Sequence, residues 1–249
     1  HRARSGDPVV DALLGTAHLL RERANAALEA KSEEIQKVQD ATIIAFSSLA
    51  ETRDNETGNH IRRTQHYIRA LAGALLKLRV HTDFITPESI DVLFKSAPLH
   101  DIGKVGIPDH ILLKPGKLTP EEFEIMKTHT TLGRDAIDHA ENQLGMEVEF
   151  LHMAKEIAYG HQEKWDGSGY PQGLSGEQIP ISARLMAVAD VYDALISARP
   201  YKKPFAHEEA VELITKGSNT HFDPDVVAAF VELADEFRAI AEELRDATV

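Results

Sequence analysis

An all-α fold is expected for this chain on three observations. No segment alternates apolar and polar residues at period two. Apolar residues instead return every third or fourth position. The segments so patterned open at Thr-Pro or Asp-Pro and close near Gly, the punctuation of helices.

The elements follow in order. Val10, Leu13, Ala17, Leu20, Ala24 and Ala27 form a heptad-like seam, which Lys31 and Glu34 interrupt and Ile35 and Val38 resume. This predicts a long N-terminal helix over residues 1–40, fit either to pair in a homodimer or to pack on its own domain. Ile61, Ile68, Leu71, Leu75 and Leu78 share one face of a second helix that begins near His60. Thr86-Pro87 opens a third, expected to run into His100-Asp101 and end near Gly103. Thr119-Pro120-Glu121-Glu122 reads as a capping box, and His129 falls on the helix it starts. Val148 to Tyr159 gives a helix ending at Gly160, and the Gly- and Pro-rich stretch from Gly167 to Pro180 is expected as loop. Ile181, Leu185, Val188, Tyr192 and Leu195 mark a buried helix that carries Asp190. Two more helices are expected, the second after Asp223-Pro224.

Composition narrows the function. With 43% hydrophobic and 27% charged residues, the 249-residue chain has a globular balance and enough length for a sizeable core. A net charge of −13 argues against a nucleic-acid polymer as partner, since phosphate backbones need clustered Lys and Arg. A small phosphate ligand held by metals and a few local cations remains compatible. The absence of Cys excludes disulfides and thiolate metal sites and fits a cytoplasmic location. No apolar run is long enough to span a bilayer.

The chemistry concentrates in a few residues. His100-Asp101 can present a nitrogen and a bridging oxygen to one or two divalent metals. Around it recur Glu56 and His60, four apart and so on one side of a helical turn, then His129, His161 and Asp190. Asp101 and Asp190 sit among apolar neighbours, where a carboxylate is costly unless paired or metal-bound. Seven other His residues, including His66, His81 and His207, are expected at the surface or in caps. A mix of imidazole and carboxylate without sulfur suits iron, manganese, nickel or zinc, and argues against an all-oxygen calcium site.

Between His161 and Asp190 lies Trp165-Asp166-Gly167-Ser168-Gly169-Tyr170-Pro171. With the His-Asp dyad and Lys104, this order of motifs resembles the HD-GYP family of metal-dependent cyclic di-GMP phosphodiesterases, from about Ile43 to Phe230. The resemblance implies an HD-domain helical bundle over residues 41–249. It implies hydrolysis of cyclic di-GMP to linear pGpG, and onward to GMP in some members, by water activated between two metals. It places one metal on His60, His100, Asp101 and Asp190, and a second on the Asp101 bridge with His129 and His161. It gives Asp101 and Lys104 the catalytic roles, Lys104 stabilising charge or protonating the leaving oxygen. Gly169, Tyr170, Pro171, Arg199 and Lys202 would contact the dinucleotide. Trp165 either supports the loop or stacks near a base, and Asp193 either serves the site or pairs with Arg199.

One departure stands out. Family members often carry a second His where this chain has Gln162. The amide removes a nitrogen donor, so two metals are expected rather than the three, with Glu56 at the edge, of some members. Gln162 also supports a competing reading, a catalytically weak sensor or protein-interaction domain. A further alternative is a phosphohydrolase for another cyclic dinucleotide. The N-terminal segment resembles the helix leaving a receiver domain, which implies an upstream receiver or sensor domain and partners such as GGDEF-domain proteins.

Overall fold

A computed structural model describes residues 8–54, 59–197 and 203–245. Among them there is no β-sheet, only two isolated bridges, and the expected all-α class holds. The helices are α1 (Pro8–Glu51), α2 (Asn59–Leu78), α3 (Pro87–Ser96), α4 (Asp109–Leu112), α5 (Pro120–Leu144), α6 (Glu149–Gly160), α7 (Ile181–Ile196), α8 (His207–Lys216), α9 (Pro224–Glu232) and α10 (Ala234–Glu243). The chain divides at Ile43/Ile44 into two compact units. In the first, the α1 seam residues Leu13, Leu20, Ile35 and Val38 are all exposed.

The second unit is organised around α7. Largely apolar around its circumference, it buries Ala183, Leu185, Met186, Val188, Ala189 and Tyr192 completely. α2 packs against it through Tyr67, Ile68, Leu71 and Leu75. Each such fully buried side chain contributes about 1.5–3 kcal/mol through removal from water. An aromatic cluster closes this end of the core. Tyr67 stacks on Phe237 at 4.5 Å, and Tyr192 meets Phe237 edge-on at 5.1 Å. Leu78, placed by its spacing on the buried face, is 47% exposed because α2 has reached its last turn there.

Helix starts obey local rules. At Thr119 the hydroxyl accepts from Glu122 N at 3.2 Å, while the Glu122 carboxylate accepts from Thr119 N at 2.7 Å. Thr86 and Ser89 form the same reciprocal pair on α3. Two expectations need correction. The helix opened at Thr86 does not run through the dyad: it ends at Ser96 and passes through 3-10 turns at Ala97–Leu99 and Ile102–Gly106. Pro98 lacks the N–H that would continue the α-helical ladder. The segment after Asp223-Pro224 is two helices, broken at Leu233, so three helices follow α7 instead of two.

Candidate metal centre

The ligand-type residues reach one region by different routes. His60 lies in the first turn of α2, His129 in α5 and Asp190 in α7. His161 caps the C-terminus of α6, and His100-Asp101 sits between the two 3-10 turns. The ligand-type side chains therefore come from three helices, one helix cap and one turn. Glu56, Arg199 and Lys202 lie outside the described residues.

Two triads result, His60–His100–Asp190 and Asp101–His129–His161. In the first, His60 Nε2 is 3.4 Å from His100 Nε2 and 3.8 Å from Asp190 Oδ1. In the second, His129 Nε2 and His161 Nε2 are 3.4 Å apart, and each lies 3.4–3.5 Å from Asp101 Oδ1. Asp101 links the two, since its Oδ2 is 3.3 Å from His100 Nε2.

The hydrogen bonds on the far side of each ring decide what these atoms can do. His60 Nδ1 is 2.9 Å from Asp193 Oδ2, a carboxylate that can only accept. The Nδ1 atoms of His100, His129 and His161 face the carbonyls of Ala97, Met126 and Ile157 at 2.8–3.0 Å. All four rings thus carry their proton on Nδ1 and turn an Nε2 lone pair inward. Facing lone pairs cannot bond one another. Asp101 Oδ1 is likewise buried without a hydrogen-bond partner. Such a convergence of bare donors in a buried site is stable around a cation.

Charge tells the same story. Burial works against ionised Asp101, yet Lys104 and His100 outweigh it and hold the carboxyl well below its usual range. Burial also opposes charge on His100, but Asp101 and then Asp190 pull its pKa up. The added proton would go to Nε2, the atom that faces the centre. Burial pushes His129 down to about 4 against the pull of Asp101, so it stays neutral and able to ligate. The donor set fits divalent transition metals.

Lys104 reaches both Asp101 Oδ2 and Asp54 Oδ2 at 2.7 Å. With Ser47, Ala50 and Glu51 it lines a pocket that opens onto His60, His100 and Asp101.

The Gly-Tyr-Pro loop lies beside His129. The Tyr170 ring is 6.3 Å from His129 and 6.0 Å from Phe123, edge-on to both, with Lys127 Nζ 5.7 Å from its centroid. Glu163, 2% exposed, accepts from Gln172 N at 2.7 Å and Leu174 N at 3.0 Å and so shapes the loop. Gly169 is needed for space rather than for an unusual φ. A Cβ there would meet Lys164 N and lie 2.5 Å from Glu163 Cα. Trp165 supports the loop: its N–H donates to His221 O at 3.1 Å and its carbonyl accepts from Gly176 N at 2.9 Å. Gln162 contributes its backbone carbonyl to Tyr170 N at 3.2 Å and belongs to neither triad.

With the geometry in place, comparison with known proteins is decisive. The HD domain family model matches residues 45–226. The chain belongs to the HD domain family. Its motifs and relatives place it in the HD-GYP branch. It is 56% identical over 216 residues to a "Probable cyclic di-GMP phosphodiesterase" of Vibrio cholerae, covering 87% of this chain and 49% of that protein. A second Vibrio cholerae protein, a "Cyclic di-GMP phosphodiesterase", is 54% identical over 94% of this chain and 47% of its own length. The HD-domain chain therefore spans about half the length of the curated relatives it matches. The crystal structure of a cyclic GMP-AMP specific phosphodiesterase of V. cholerae shares the fold, with TM-score 0.56 and 20% identity over 84% of this chain and 51% of that one.

Sequence reasoning missed several supporting residues. Asp193, expected either to serve the site or to pair with Arg199, is held by Arg63 at 2.6 and 2.9 Å and orients His60. The signal was present, because Asp193 is three residues after Asp190 and Arg63 three after His60, on the same helical faces. Glu163 gave none, as its partners are backbone amides nine and eleven residues away.

Proposed function

We propose that this chain is the phosphodiesterase domain of a cyclic di-GMP hydrolase, cutting the dinucleotide to linear pGpG and then, to an extent set by the metal site, to GMP. The observation that carries the reading is the inward turn of four Nε2 lone pairs around Asp101. The names of relatives at 54–56% identity supply the substrate. His60, His100, Asp101, His129, His161 and Asp190, with Glu56 at the edge, would hold two divalent transition metals, iron, manganese, nickel or zinc, which would supply charge neutralisation at the phosphate and a lowered pKa for a water nucleophile. Asp101 bridges the two triads and fixes their separation. Lys104, beside Asp101, stabilises developing charge on the phosphoryl oxygens or gives a proton to the leaving oxygen. Gly169, Tyr170 and Pro171 wall the site next to His129, and Arg199 and Lys202 supply cations to the dinucleotide. The test is anaerobic incubation of metal-loaded protein with cyclic di-GMP and, separately, cyclic GMP-AMP. Linear product from cyclic di-GMP alone is expected. Preference for cyclic GMP-AMP would overturn the substrate, and tight binding without turnover would favour a sensor.

Residues 1–40 serve in this reading as a linker helix from an upstream receiver or sensor domain in a cytoplasmic protein. Its exposed Leu13, Leu20, Ile35 and Val38 support pairing in a homodimer, and GGDEF-domain proteins are the expected signalling partners.

Two substitutions test local roles. Lys104→Ala is expected to lower kcat about 10²-fold while bound metal stays near wild type, because the ammonium stabilises charge without being a ligand. Elemental analysis beside steady-state kinetics checks this, and metal loss as complete as in an Asp101 variant would refute it. Gln162→His restores the nitrogen donor common in the family. It is expected to raise metal retention and to alter the pGpG-to-GMP ratio, read by anaerobic metal titration and product chromatography. Equal retention and equal products would make Gln162 a neutral variation.

A further inference from the structure

Lys104 sits on the 3-10 turn Ile102–Gly106, a short element whose hydrogen bonds are poorer than those of an α-helix. Its own backbone ties are Lys104 N to Asp101 O at 2.9 Å and Ile107 N to Lys104 O at 3.0 Å. On one side the turn rests on α5, where a Cβ on Gly103 would run into the carbonyl of His129 and the amide of Gly133. On the other it meets the residues that follow α1. There Arg53 donates through Nη1 to the carbonyl of Val105, the residue next to Lys104. Through Nη2 it donates to Ile107 O at 3.3 Å and Asp109 Oδ1 at 2.5 Å. Asp54, the next residue, takes the Lys104 ammonium at 2.7 Å. Two consecutive residues thus hold Lys104 from both ends, one by the backbone beside it and one by its charged head.

We propose that Arg53 is a positioning residue for Lys104: its guanidinium clamps the 102–107 segment so that the ammonium stays beside Asp101. The proposal rests on the phosphodiesterase reading above. A planar fork with five donors suits a bridge to three acceptors, which a Lys at position 53, a point charge, would not reproduce. The simpler alternative is that Arg53 only fastens the end of α1. The two differ in whether its effect passes through Lys104.

The experiment is a double-mutant cycle on metal-loaded enzyme, with Arg53→Ala, Lys104→Ala and their combination, read with cyclic di-GMP and with bis(p-nitrophenyl) phosphate. Arg53→Ala is expected to lower kcat roughly 10-fold or more, since small misplacements of a catalytic group are costly. KM and metal content should hold, and the loss should vanish in the Lys104→Ala background. An equal loss in both backgrounds, or no loss in wild type, overturns the proposal. If Arg53→Ala does not fold, Asp109→Asn loosens the same guanidinium and should show a smaller loss with the same dependence on Lys104. If neither ester is cut by the wild-type protein, the phosphodiesterase reading fails, and hydrogen exchange at residues 102–107 decides for the clamp. Faster exchange in Arg53→Ala is then expected, and unchanged exchange overturns it.

Discussion

Asp101→Ala is expected to abolish hydrolysis, with kcat/KM falling at least about 10³-fold, because metals held at the proposed site would supply several kcal/mol of charge stabilisation. The size of the effect follows from its position. One carboxylate oxygen lies within 3.5 Å of His129 and His161, and the other lies 3.3 Å from His100 and 2.7 Å from Lys104. Removing it should release metal from both subsites as well as unmoor Lys104. Asp101→Asn keeps the shape but loses the charge and should retain less than half the metal. A variant with full metal content and normal turnover would show that the bridge is misassigned.

The second large effect is on stability. Asp193→Ala is expected to destabilise the domain by about 3–5 kcal/mol, the usual consequence of leaving a buried cation unpaired. Arg63 is 3% exposed and donates two hydrogen bonds to Asp193, so its buried charge would lose this carboxylate while keeping neutral acceptors such as Leu244 O and Ser197 Oγ. For a domain of this size the melting temperature should drop by about 10 °C or more. His60 would also lose the acceptor that fixes its Nδ1 proton, and metal affinity should fall about 10–100-fold. Burial opposes ionisation of Asp193, but Arg63 and His60 win and hold its pKa below the ordinary 3.8. Its contribution is therefore complete above that value and is lost as pH falls through the lower folded pKa. The variant should show a flatter acid limb in a plot of stability against pH. Thermal melts from pH 2 to 7 check both points, and a variant within 1 °C of wild type throughout would sink this role.

The contrast between these two aspartates shows what the sequence could convey. Asp101 announced itself through His100, and the recurring His60, His129, His161 and Asp190 completed a pattern whose order survives folding. Helix periods were legible for the same reason: α7 is apolar at every turn and α5 opens on an unmistakable capping box. For Asp193 the sequence leaves open a place in the site or a pairing with Arg199, because a partner 130 residues away shows only as a shared three-residue offset from Asp190 and His60. The dyad's own backbone was misjudged, since apolar spacing around Leu99 and Ile102 says helix while Pro98 imposes a tighter turn. The need for Gly169 is room beside Glu163, a tertiary fact. Glu163 itself binds amides of the loop it precedes, which no residue pattern encodes.

The proposed phosphodiesterase activity requires the turned-in imidazoles and Asp101 to hold a pair of metals. Elemental analysis of protein purified anaerobically without chelators, followed by assay of the same sample before and after chelation, tests it most directly. About two divalent transition-metal ions per chain are expected, with cyclic di-GMP hydrolysis lost on chelation and restored by iron(II) or manganese. Undiminished hydrolysis by metal-free protein would contradict it.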